Sequence, residues 1–111
     1  MAKLYRGDVI EVYYPDGKGG LKVRPVIVLQ NINKSSDVIS VYCTTQNNGD
    51  DINNIFVSST SDVGKGMGIS KDTYIRPTAV KTLPIKSVKR LIGKCPLMQE
   101  ISKIIENNIS K

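Results

Sequence analysis

The chain has 111 residues, a formal charge of +6, 40% hydrophobic and 23% charged residues, and no histidine. That length suits one domain, residues 1–111, with its own core, and no apolar run approaches the ~20 residues a membrane helix needs. Without histidine there is no usual general base, no Cys–His or Ser–His nucleophile pair and no zinc site of normal ligand count, while the basic balance favours a polyanionic partner.

Residues Met1 to Arg6 have no apolar stretch behind their charges, so no signal peptide is expected and the chain is placed in the cytoplasm. Arg6-Gly7-Asp8 reads as a turn launching a strand, Val9 to Tyr14, with Ile10, Val12 and Tyr14 on one face and Glu11 and Tyr13 on the other. Pro15 and the glycines end it, and residues 15–22 form a flexible, basic loop at the tip of a long hairpin. The returning strand is Arg24-Pro25-Val26-Ile27-Val28-Leu29, whose apolar run fits burial on both faces. Pro25 cannot donate to a ladder and is expected at the first strand position, and it forces Arg24 to be extended. A guanidinium held on stiff backbone beside a cationic loop suits a phosphate; the alternative is an ordinary strand-edge surface residue.

Asn31 to Asp37 is polar and is expected as a surface loop. Val38 to Gln46 gives a third strand, running out into a turn cluster at Asn47-Asn48-Gly49-Asp50-Asp51, and Ile55-Phe56-Val57 a fourth. Ser58 to Ser70, with its Gly64-Lys65-Gly66-Met67-Gly68 core, matches no phosphate-loop spacing and reads as a mobile loop. Thr73 to Thr82 is strand-like, broken or bulged at Pro77. Leu83-Pro84-Ile85 makes a corner before a short strand, Leu91 to Cys95. Pro96 suits a first helical position, and Leu97, Ile101, Ile104, Ile105 and Ile109 then recur at helical spacing, with Gln99, Glu100, Lys103 and Glu106 facing water. Cys43 and Cys95 lie in apolar contexts and read as buried structural thiols rather than a disulfide. Six or seven short strands with hairpin spacing and one C-terminal helix point to a mainly β fold, a small, antiparallel, partly closed barrel.

Several of these segments, in this order, resemble the MazF/PemK family of toxin endoribonucleases. The matching pieces are Arg6-Gly7-Asp8-Val9, the Gly-rich loop, Arg24-Pro25-Val26-Ile27-Val28, Thr44-Thr45-Gln46, Asp72-Thr73-Tyr74-Ile75, Lys81-Thr82-Leu83 and the closing helix. The resemblance implies an SH3-like barrel of the MazF/PemK/CcdB type, a homodimer, and metal-independent, cofactor-free cleavage of single-stranded RNA at short sequences. It also implies a cognate antitoxin whose acidic C-terminal tail lies across the RNA groove.

By matching position, the family's active-site arginine and threonine fall on Arg24 and Thr44, with Arg76 and Thr78 as catalytic support. Arg24 would neutralise charge on the phosphate and Thr44 would donate to a non-bridging oxygen, the neighbouring 2′-hydroxyl being the nucleophile. Arg24 itself stays protonated and is not the base. Lys18, Gly19, Gly20, Lys22, Gln46 and Lys65 are the expected RNA-binding residues, with Tyr13, Tyr14 and Tyr74 as the candidate stacking platforms. Two features differ from plasmid-borne members: Thr78 stands where they have a carboxylate, and Lys18 stands at or near their loop histidine. The proton acceptor is therefore unassigned. The rival readings are a catalytically silent RNA-binding relative and a gyrase poison on the same barrel, although the chain's ending lacks the aromatic tip associated with the latter.

Overall fold

The computed structural model describes residues 3–33, 37–46 and 52–109. In chain order the elements are β1 (Lys3–Leu4), β2 (Asp8–Pro15), β3 (Leu21–Val28), β4 (Ile32–Asn33), β5 (Val38–Thr44), β6 (Ile55–Val57), α1 (Asp62–Met67), β7 (Thr73–Leu83), β8 (Val88–Lys94) and α2 (Met98–Ile109). A 3-10 turn over Ile85–Ser87 forms the expected corner before β8. Six strands make one antiparallel sheet in the order β6-β7-β5-β3-β2-β8, curled into a half-barrel, and β1 pairs separately with β4. Ile32 and Asn33 thus extend into a ladder where a loop was expected, because Leu4 and Ile32 bury their side chains against the same core. The turn cluster at residues 47–51 lies outside the described residues.

Burial on both faces follows from the apolar runs. Val9, Ile27, Val41, Cys43 and Ile75 point to one side of the sheet, where Met67 of α1 and Ile101 of α2 cover them. Ile10, Val12, Val26, Val28 and Val38 point to the other side, and the curl of the sheet brings Leu83, Ile85 and Val88 over them. Removing apolar surface from water at about 25 cal/mol per Å² makes these two clusters the main source of stability. Both cysteines are free and buried, as expected. Burial pushes both thiols above their ordinary value, which keeps them protonated and inert. No helix among the described residues is long and apolar enough to cross a membrane.

Three further local expectations need correction. Pro25 is the fifth residue of β3, not the first, because the ladder with β2 runs on to Pro15↔Leu21. Pro25 is tolerated there because pairing with β5 covers only Val26 to Val28, so on that side Pro25 sits at an open edge. The hairpin tip is accordingly short, and Asp16 ties it: its Oδ1 accepts from the N–H groups of Lys18 (2.7 Å) and Gly20 (3.0 Å).

The segment read as a mobile loop, Ser58 to Ser70, holds α1. Ser61 caps it by accepting from Gly64 N–H at 3.0 Å, and Gly68 ends it in the left-handed region at φ 77°. The glycines are there for contact. A Cβ on Gly64 would lie 2.1 Å from the Ser58 carbonyl oxygen, and one on Gly93 of β8 would lie 2.4 Å from that of Gly66. The third correction is at α2, which begins at Met98, so Pro96 precedes the helix. Leu97 carries the first helical carbonyl, accepting from Ile101 N–H at 3.0 Å, while its own N–H donates to Cys95 Sγ.

β7 is continuous through Pro77, but its register with β5 jumps from Val41↔Val80 to Tyr42↔Arg76, so residues 77–79 bulge out. β8 is also irregular against β2; the register skips Ile92 and Lys89 and sets Arg90 opposite Glu11.

Candidate active site

The site lies where β3 and β5 part. Their ladder ends at Val26↔Tyr42, and below it the strands diverge around a cleft of about 360 Å³. β3 contributes residues 22–25 to this cleft and β5 with its continuation contributes residues 43–45. The turn after α1, residues 68–71, closes the far wall, and Glu11, Thr73 and Ile92 complete it. The volume is in the range of small-ligand sites, roughly 300–1,000 Å³. Lys22, Arg24 and Lys71 give it positive charge, with Glu11 the single carboxylate among the lining residues.

Arg24 and Thr44, far apart in sequence, both line this cleft. Arg24 is half-buried, in register with Val12, and its guanidinium carbon stands 5.7 Å from the centroid of the Tyr42 ring. Its Nε is buried with no hydrogen-bond partner. Tyr42 in turn meets Tyr14 edge-on, with centroids 5.8 Å apart. Burial, then the Tyr42 phenol, push the Tyr14 hydroxyl above its ordinary value, and Arg24 pulls the other way. Thr44 is buried, and its Oγ1 accepts from Gln46 N–H at 3.1 Å. That contact uses an oxygen lone pair and leaves the hydroxyl proton to donate.

The remaining expected residues are spread around this centre. Lys22 lines the cleft, paired across the hairpin with Tyr14. Gln46 reaches Thr44 through its backbone. Lys18, Gly19 and Gly20 sit in the Asp16-tied tip, outside the cleft lining, and Lys65 is exposed on α1. Arg76 lies opposite Tyr42 on β7, its Nε likewise buried and unpaired, whereas Thr78 is exposed on the bulge. Sequence reasoning missed three residues here: Tyr42, Lys71 and Glu11. A charged residue between Ile10 and Val12 in a strand was the one available signal for Glu11. Its side chain is 22% exposed and Arg90 Nε donates to its Oε1 at 2.5 Å.

A curled antiparallel sheet closed by a C-terminal helix, with a cationic notch between two diverging strands, defines a small half-barrel β protein with a basic cleft. The chain belongs to the PemK-like, MazF-like toxin family of type II toxin-antitoxin systems, whose family model matches residues 5–110. Among solved structures, its fold is similar to an endoribonuclease from a mycobacterial species in complex with its cognate antitoxin (TM-score 0.67, 17% identity, covering 96% of this chain and 95% of that one). It is similar as well to an endoribonuclease from a mycobacterial species (0.64, 17%, 96% and 91%) and to the MazE–MazF complex of Deinococcus radiodurans (0.70, 13%, 96% and 96%). No curated protein matches the chain in sequence.

Proposed function

We propose that this toxin is a metal-independent endoribonuclease that cleaves single-stranded RNA at a short sequence and is neutralised by a cognate antitoxin. The observation that carries this reading is the convergence of Arg24 and Thr44 on one cationic cleft. Family membership and neighbours that are endoribonucleases support the enzyme class. The 2′-oxygen loses its proton as it bonds to phosphorus, the P–O5′ bond breaks, and the 5′-oxygen is protonated as it leaves, giving a cyclic phosphate and a 5′-hydroxyl. Charge gathers on the non-bridging oxygens. A guanidinium fork and a hydroxyl donor fixed in place beforehand stabilise that charge more than they stabilise the ground state.

The active form is a homodimer acting in the cytoplasm, and the antitoxin's acidic tail competes with RNA for the basic cleft. Incubation of the purified chain with long single-stranded RNA in chelator tests the activity: discrete fragments are expected, and intact RNA would refute the reading. Light scattering at micromolar concentration tests the dimer, a monomer mass counting against it.

A further inference from the structure

The cleft has more wall than a phosphate needs. Beyond Arg24 and Thr44 it continues over an apolar surface made by Val23, Pro25, Ile69 and Ile92. Among the described residues, β3 from Leu21 to Pro25 is paired only with β2, so its other edge borders this space. A flat heteroaromatic ring fits such a surface, and one positioned there belongs to a nucleotide flanking the phosphate held by Arg24.

We propose that this part of the cleft receives one nucleobase of the RNA strand and that Glu11 selects guanine there. The inference rests on the endoribonuclease reading and adds its substrate preference. Glu11 is mostly buried, and Arg90 Nε bonds Oε1, while Oε2 has no hydrogen bond among the described residues. An ionised carboxylate only accepts hydrogen bonds. Guanine alone among the four bases places two donors, N1–H and the N2 amino group, side by side on its pairing edge, matched to the two carboxylate oxygens. Adenine and cytosine offer one amino group beside an acceptor nitrogen, and uracil offers one N–H between two carbonyl oxygens that a carboxylate repels. Ser70 and Lys71, across the cleft, supply donors for guanine O6. Arg90 keeps Glu11 aimed, since the bulges in β8 set it directly opposite and its Nε–H donates to Oε1.

The test maps the 5′-hydroxyl ends made by the full chain on a mixed-sequence RNA, then compares a preferred site containing guanine with the same site containing inosine, which lacks the N2 amino group. Glu11→Gln is compared alongside; it keeps the side chain's length and an oxygen for Arg90. The expected result is guanine at one fixed position within two nucleotides of the cut, with inosine lowering wild-type cleavage roughly tenfold to a hundredfold and leaving Glu11→Gln nearly indifferent. Cut sites with no fixed guanine overturn the proposal, as does a Glu11→Gln variant that keeps the guanine preference or slows every site equally. Binding of a 2′-deoxy-substituted strand to wild type, guanine against inosine, reads the pocket without cleavage. A guanine preference in binding with no cutting would therefore refute the endoribonuclease reading and leave the pocket standing.

Discussion

Arg24 holds its guanidinium over the ring of Tyr42, 5.7 Å from the centroid, with Nε buried and unpaired. The ring restricts the side chain without using its donors, so the remaining N–H groups stay available for phosphate. Arg24→Ala should leave a folded protein and cut RNA cleavage by a hundredfold or more, on the order of 3 kcal/mol of transition-state stabilisation. Arg24→Lys should recover little, because an ammonium makes no forked contact. Wild-type rates for both variants, with circular dichroism confirming the fold, would remove Arg24 from the catalytic role.

The nucleophile should come from the substrate. An RNA with a single 2′-deoxy sugar on the 5′ side of the scissile phosphate should bind and resist cutting at that site, and single-stranded DNA should not be cut. Fragments should carry a cyclic phosphate or its hydrolysis product, and cleavage should persist in excess EDTA. Loss of cleavage in EDTA, restored by magnesium, would redirect attention to the acidic residues.

Lys22 and Lys71 line the cleft, whereas Lys18 and Lys65 do not. Binding of uncleavable RNA should fall steeply with salt as counterions are displaced. Lys22→Gln and Lys71→Gln should each reduce the slope of log K against log salt by about one. The same change at Lys18 or Lys65 should move it less, and an equal effect at all four positions would place the RNA track elsewhere.

Asp16 accepts backbone N–H bonds from Lys18 and then Gly20, which hold its carboxyl below the ordinary aspartate value. A depressed pKa means that the tip contacts are complete at neutral pH and are lost only as pH falls through the folded-state value. In an NMR titration the Lys18 and Gly20 amide protons should shift together with the Asp16 carboxyl, below the range of free aspartate. Titration at or above that range would show that these bonds do not hold the loop in solution.

Gly68 combines a φ of 77° with close packing, since a Cβ there would lie 2.0 Å from the Ile92 carbonyl oxygen. Gly68→Ala should therefore destabilise the fold by about 2 kcal/mol or more, from backbone strain plus displacement of β8. Urea unfolding measures it, and a midpoint equal to wild type would contradict the α1–β8 contact.

The strands and α2 were legible in the sequence because apolar alternation and helical spacing are local signals that burial then enforces. The run from Val26 to Val28 announced burial on both faces, and Ile101 and Ile105 announced the covered side of α2. Helix α1 was not legible: two glycines lower its local helix propensity, and what favours it is close packing against Ser58 and β8, distant in sequence or hidden in the fold. Arg24 and Thr44 were individually visible through resemblance, but chain order alone says nothing of how near they come. Their convergence depends on the β3–β5 ladder stopping at Val26. Glu11 reads in sequence as a solvated strand residue; the tertiary structure makes it a cleft carboxylate, because two skipped residues in β8 bring Arg90 opposite it and the curl of the sheet removes most of its water.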